Sequence, residues 1–320
     1  MRILVAPLNW GLGHASRCIP LIRQWLSEGN EVVLGGDGES LLLLRKHFPK
    51  LPYVELAPLQ LRYSKGKSQV WAMLRALPKL FCFSLRDHWR LRILLRTEHI
   101  DRVVSDNRFG LYSRQTECIY MTHQLQIRLP QQFRWLEPLV ARIHARVCAK
   151  YNKVWVPDFA DEAQSLSGWL GHPNKPKRYG EIEYIGPLSR FVPTAESKIS
   201  ETLYPIVAVL SGLEPQRSLL ESEIVSRYGG QPQPVLIVQG LISRPATIVK
   251  RGNITMIPHM DDGRLAQIIR QAEHVVVRSG YSSIMDLYAL GALEKAELIP
   301  TPGQPEQEYL ADRALQRNLQ

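Results

Sequence analysis

The sequence predicts two doubly wound α/β domains, each a parallel sheet with helices on both faces, set across a shared cleft. Three observations carry that expectation. Short apolar runs rich in branched side chains alternate with segments of helical spacing, the β–α–β pattern of a parallel sheet. The pattern occurs as two series, one before residue 190 and one after residue 200. The length of 320 residues provides for two cores at roughly 150 residues per domain.

Residues 3–7 (ILVAP) form the first predicted strand, followed by a glycine turn. Residues 17–28 have helical spacing, with Ile19, Ile22 and Leu26 on one face, and Gly29-Asn30 ends the helix. Val32-Val33-Leu34 is the next strand, so the pair is joined by a crossover of the length that makes strands parallel. Further strands are expected at 53–56, 102–105, 118–121 and 153–156, with helical stretches between them. The second series predicts strands at 205–210, 234–238, 254–257, 274–277 and 296–299. Its helices are expected at 217–227, 262–272, 282–290 and 305–317. Residues 168–200 are rich in Gly, Pro and Lys. The expected domains are therefore 1–190 and 191–320, with ligands in the crevice at the carboxyl ends of the two sheets.

Composition narrows the function classes. No apolar run reaches the roughly 18 residues that span a bilayer. The opening Met1–Pro7 is too short and too soon interrupted for a signal peptide. The four cysteines, Cys18, Cys82, Cys118 and Cys148, form no CxxC pair, which argues against a zinc site or a disulfide framework and fits a reducing cytosol. The net charge of +10 is uneven: residues 1–160 hold 24 of the 40 Lys/Arg and 12 of the 30 Asp/Glu. Between Arg62 and Arg96 nine bases face one acid, Asp87, interleaved with aromatic and leucine side chains such as Trp71, Phe81, Phe83 and Trp89. An amphipathic basic stretch of this kind reads as an element that docks on an anionic membrane face. The alternative is two ordinary surface helices. No zinc finger or RNA-binding motif accompanies the charge, so nucleic acid is not an expected partner.

Three motifs carry chemistry. Asn9 to Arg17 (NWGLGHASR) follows the first strand; Gly11 and Gly13 permit a tight turn, and the helix that follows offers free N–H groups to an anion. Alone this resembles a dinucleotide fingerprint with Asp37 as the ribose acid, although Ser16 stands where a third glycine would. Arg278 to Asp286 (RSGYSSIMD) follows an apolar strand and opens a helix. Its backbone N–H groups and the hydroxyls of Ser279, Ser282 and Ser283 suit phosphate, and Asp286 suits the hydroxyls of a ribose. Ile299 to Tyr309 (IPTPGQPEQEY) enters the last helix, with Gln304 and Gln307 able to donate and accept bonds at sugar hydroxyls. Asp106-Asn107-Arg108 and Thr122-His123-Gln124 end strands of the first domain and should line the cleft.

Together these motifs resemble the family 28 glycosyltransferases of the GT-B fold, two Rossmann-like domains facing across a cleft. The family includes the peptidoglycan N-acetylglucosaminyltransferase and the plant diacylglycerol galactosyltransferases. Its G-x-G-H loop is matched by Gly11, Gly13 and His14. Its R-S/A-G turn with an acid six residues on is matched by Arg278, Ser279, Gly280 and Asp286, and its late polar loop by Gln304 through Glu308. There are departures. Asp286 stands where the peptidoglycan enzyme has Glu, Glu308 replaces the second residue of its Gln pair, and its glycine-rich donor loop is here Leu210-Ser211-Gly212-Leu213-Glu214-Pro215. A final helix returning to the first domain is not apparent.

The resemblance implies an inverting transfer from a UDP-sugar to a hydroxyl, such as that of a lipid-linked acceptor, by a cytoplasmic enzyme peripheral to the inner face of the membrane and working in the cell envelope. Arg278, Ser279, Gly280, Ser282, Ser283, Ser211 and Gly212 would serve the diphosphate, Asp286 the ribose, Gln304 and Gln307 the sugar, and Met260 the base through its backbone. Gly11, Gly13, Arg17, Asp106 and His123 would face the acceptor, with His14 as the base, since an imidazole titrates near neutral pH. No cofactor or metal is expected, because helix ends and arginine neutralise a diphosphate. Two other enzyme classes compete: a sugar-nucleotide 2-epimerase of the same fold, and a nicotinamide-dependent oxidoreductase using Gly11, Gly13 and Asp37.

Overall fold

The computed structural model describes residues 1–59, 70–191 and 204–318, with the backbone alone for 70–77, 177, 317 and 318. The first sheet has seven parallel strands in the order β3-β2-β1-β4-β5-β6-β7. They are β1 (Arg2–Pro7), β2 (Glu31–Gly36), β3 (Tyr53–Glu55), β4 (Arg102–Asp106), β5 (Glu117–Met121), β6 (Lys153–Val156) and β7 (Ile182–Tyr184). Among the described residues the α-helices that accompany them are α1 (Gly13–Ser27), α2 (Gly38–His47), α3 (Val70–Thr97) and α4 (Glu137–Cys148). The apolar run of β1 is buried on both faces. Ile3 and Val5 meet α1 and α2, while Leu4 and Ala6 meet α3 and the far side.

Sequence reasoning expected β1 to β6 with helical stretches between them, and did not predict β7. Between β4 and β5 there is no helix: residues 107–116 make the crossover as a loop. The reason is local. Arg108 and Leu111 are fully buried there, and α3 lies against the loop so closely that a Cβ on Gly110 would stand 2.0 Å from the Ser84 carbonyl oxygen. The long α3 occupies the face that another helix would cover.

The second sheet runs β10-β11-β9-β8-β12-β13. Its strands are β8 (Ile206–Val209), β9 (Val235–Val238), β10 (Val249–Arg251), β11 (Ile254–Ile257), β12 (His274–Arg278) and β13 (Ala296–Ile299). All pair in parallel except the short edge strand β10, which turns back antiparallel on β11. Its helices are α5 (Gln216–Tyr228), α6 (Asp262–Gln271), α7 (Tyr281–Ala289) and α8 (Pro305–Asn318). The final helix does reach the first domain. The Trp169 N–H donates to Tyr309 Oη at 2.9 Å, and Arg313 Nε donates to the Ser165 carbonyl at 3.0 Å. One buried cluster joins side chains of both domains, from Ile19 and Ile22 on α1 to Tyr281, Ile284 and Met285 on α7 and Leu310 on α8.

Candidate functional site

Each sheet has a point where the chain changes direction, between β1 and β4 in the first and between β8 and β12 in the second. Loops leaving two such strands diverge to opposite faces and open a crevice at the carboxyl ends. Here the two crevices face each other. A Cβ on Gly11 would lie 3.8 Å from Gly212 Cα, and one on Gly13 would lie 2.8 Å from Ser282 Oγ, which donates to the Gly13 carbonyl at 3.0 Å. Glycine is required on structural grounds at Gly11, whose φ is +81°.

On the first-domain side, the four polar residues expected to line the cleft come together. His14 Nδ1 lies 2.9 Å from Asp106 Oδ1. Arg17, buried in the first turns of α1, clasps the same carboxylate through Nε at 2.7 Å and through Nη2, and its Nη1 donates to His123 Nδ1 at 3.0 Å. Burial works against ionisation of Asp106, but the Arg17 charge and the hydrogen bonds from Arg17 and His14 outweigh it and hold the carboxyl down at about 2. Nδ1 of His14 has an acceptor, Asp106 Oδ1, at 2.9 Å and a donor, Arg17 Nη2, at 3.0 Å. The shorter contact to the carboxylate favours the tautomer with the proton on Nδ1 and the lone pair on Nε2. Nε2 makes no hydrogen bond to the described residues.

On the second-domain side, α7 begins at the turn after β12. Its cap residue Gly280 supplies no side chain, so the N–H groups of the first turn, with Ser282 and Ser283, form a site of positive potential. Arg278 is 4% exposed and gives Nη1 to the Pro300 carbonyl at 3.0 Å and Nη2 to the Gln216 carbonyl at 2.9 Å, tying α5 and the loop after β13 to this turn. Its Nε is buried without a partner. Ser279 Oγ donates to the Gln307 carbonyl, and Gln307 Oε1 accepts from the Thr301 N–H, both at 2.8 Å. The Gln304 carbonyl accepts from the Gln307 N–H at 3.0 Å as α8 begins. Ser211 and Gly212 lie in the loop that follows β8, and Met260 packs at the margin of the domain core. Asp286 accepts from Ser189 Oγ at 2.6 Å, with Arg190 at 3.8 Å. Burial pushes it up to about 6, against the pull of Arg190 and Ser189, and Asp262 adds to the rise.

Three participants escaped sequence reasoning. Glu306 reaches across to His123, Oε1 to Nε2 at 2.7 Å. Tyr281 stacks on the same imidazole, centroids 4.3 Å apart and planes 6° from parallel. Ser189 partners Asp286. Glu306 and Tyr281 stand inside motifs the sequence singled out, the last polar loop and the turn after Arg278, without a role assigned to either.

Asp37 belongs to a different network. Its carboxylate accepts from Arg108 Nη1 at 2.8 Å and from Asn9 Nδ2 at 3.1 Å, and Arg108 also holds the buried Asp87 of α3. Asp37 is thus buried and paired with the Arg108 charge, and Ser282 stands over the glycine turn; neither arrangement supports the nicotinamide alternative.

No protein-family model matches the chain, and no curated protein matches its sequence. Solved structures match nearly all of it. A spinosyn rhamnosyltransferase aligns at 15% identity over 99% of this chain and 84% of that one, with a TM-score of 0.61. An Arabidopsis thaliana protein solved with UDP-L-rhamnose aligns at 14% identity over 98% and 82%, TM-score 0.58. A Listeria monocytogenes protein described as a UDP-N-acetylglucosamine 2-epimerase aligns at 13% over 98% and 87%, TM-score 0.51. At these identities the likeness establishes the fold: two facing doubly wound domains of the GT-B class. The narrower likeness to family 28 stays at the level of its motifs.

Proposed function

We propose that this protein transfers a sugar from a nucleoside diphosphate sugar, UDP by the motif resemblance, to a hydroxyl acceptor with inversion at the anomeric carbon. The observation that carries this reading is the His14–Asp106 pair at the first crevice, opposite an uncapped helix start at the second. His14 Nε2 takes the acceptor proton while the acceptor oxygen bonds to the anomeric carbon. The bond from that carbon to the diphosphate oxygen breaks with its electron pair, and the nucleoside diphosphate leaves. Asp106 holds the ring and stabilises the imidazolium. The first turn of α7 faces the growing negative charge of the diphosphate, and the α5 start and the loop after β13, clamped by Arg278, wall the donor. Asp286 meets the ribose by exchanging Ser189 for its hydroxyls, and Gln304 and Gln307 meet the sugar.

Calorimetry tests the donor half: UDP binds the wild-type protein, and Asp286→Ala weakens that binding about 10-fold, the loss of roughly 1.4 kcal/mol expected for a pair of hydrogen bonds. Unchanged affinity would remove Asp286 from the ribose. The 2-epimerase reading keeps support from the Listeria likeness. Proton NMR of UDP-N-acetylglucosamine incubated with the protein and no acceptor separates the two: a new C2 epimer favours the epimerase, an unchanged sugar favours transfer.

A further inference from the structure

We propose that His123 and Glu306 are positioning residues that join the second domain to the base, so that His14 is set for proton transfer only when the domains are closed. The inference rests on the transfer reading above for the role of His14, and on the following geometry for the connection.

Five side chains form one continuous polar chain across the cleft: His14, Asp106, Arg17 and His123 from the first domain and Glu306 from the second. Donor and acceptor chemistry fixes the two links of His123. A guanidinium only donates, so His123 Nδ1 must accept from Arg17 Nη1. The proton of His123 therefore sits on Nε2 and is donated to Glu306 Oε1, which fits a neutral ring: burial depresses His123, and Glu306 opposes this only in part. A doubly protonated ring would turn an N–H toward Arg17. Arg17 Nη2 lies within hydrogen-bond reach of both Asp106 Oδ1 and, at 3.0 Å, His14 Nδ1. The same guanidinium thus sets His123 on one side and the carboxylate that orients His14 on the other.

The second domain meets His123 from two directions. Glu306 takes the His123 edge, and Tyr281 covers its face while its hydroxyl donates to the Pro157 carbonyl at 2.8 Å. Glu306 is adjacent to Gln307, whose carbonyl is held by Ser279 in the α7 turn. A ligand seated in that turn thereby bears on the residue that meets His123. When the domains part, His123 loses both contacts and its tautomer is free to change. Arg17 Nη1 then loses its fixed acceptor, and the grip on Asp106 and His14 loosens.

The test is nitrogen-15 NMR of histidine-labelled full-length protein, with the nine histidines assigned by single substitutions. In the wild type, Nδ1 and Nε2 of His14 are well separated, as for a single tautomer. Glu306→Ala mimics parted domains: the two His14 resonances move toward each other, and those of His123 do the same. Lys46→Ala removes a different contact between the domains, with His259 at 3.0 Å, and leaves His14 in place. If Glu306→Ala alters His123 and leaves His14 unmoved, the chain ends at His123 and the proposal is overturned. It is equally overturned if Lys46→Ala shifts His14 as much as Glu306→Ala does. UDP calorimetry on the same samples reports on the donor reading alone, so the two fail separately.

Discussion

At the residue scale, the site turns on buried charges that satisfy each other. His14→Ala removes the base and should lower turnover by about 100-fold or more while leaving UDP affinity nearly unchanged, because its partners belong to the first domain. Transfer kinetics and calorimetry on one sample check both halves. Asp106 has a second role in stability. Its folded value of about 2 lies below the ordinary carboxylate range, so its ionisation stabilises the fold by about 2 kcal/mol at neutral pH. That contribution is present above the unfolded value near 3.9 and is lost as pH falls through 2. Asp106→Asn strands the Arg17 charge in the interior and should cost about 3 kcal/mol. Urea unfolding should give the same difference at pH 7 and pH 5, and a smaller one only below about pH 4.

At the element scale, α3 is the outlier. The sequence offered two readings of the basic stretch, a membrane-docking element or two ordinary helices, and the structure has one helix over Val70–Thr97. Arg62, Lys65 and Lys67 lie outside the described residues. The inner face holds Phe83, Asp87 and Leu91, with Asp87 pinned to Arg108. The outer face carries Phe81, Leu85, Trp89 and Ile93 at intervals of four, exposed by 66%, 49%, 68% and 51%. A helix that keeps such a stripe in water gains nothing from it, and Lys79, Arg86, Arg90, Arg92 and Arg96 flank it in solvent. Among the described residues no helix is long and apolar enough to cross a membrane. Docking on an anionic bilayer remains our proposal for this face, each base contributing about 1 kcal/mol. Flotation with phosphatidylserine vesicles at low salt should carry the protein up. Neutral vesicles, high salt, or the pair Phe81→Ser with Trp89→Ser should leave it below. Equal recovery with both lipids would make α3 ordinary surface.

At the scale of the whole molecule, the domains share the buried cluster of α1, α7 and α8, and beside it Gly11 and Gly13 face Gly212 and Ser282. Gly13→Val would drive a branched side chain into Ser282, whose oxygen already stands 2.8 Å from a bare Cβ. The bond from Ser282 to the Gly13 carbonyl should break and the cleft should widen. Small-angle scattering should register a larger radius of gyration. Turnover should fall more than UDP affinity, because α7 itself is untouched. A scattering curve identical to the wild type would place the room for that side chain within the first domain.

The sequence by itself determined the buried strands of both series and most of the helices between them, because strands buried on both faces must be apolar runs and crossover helices must keep one apolar stripe. The short, more exposed edge strands β7 and β10 carry no such run. It also placed His14, Asp106 and His123 at strand ends or the turn after one, where side chains of different strands can converge. The tertiary structure decided their partners. Arg17 and Asp106 are 89 residues apart, and His123 and Glu306 are 183 apart. Periodicity has no reach over such distances, since it reports only which face a residue takes within its own element. The same limit applied to Asp37, whose spacing suited a ribose until the fold brought Arg108 to its carboxylate. It applied also to the loop between β4 and β5, where a helix was expected and α3, arriving from earlier in the chain, had already filled the space.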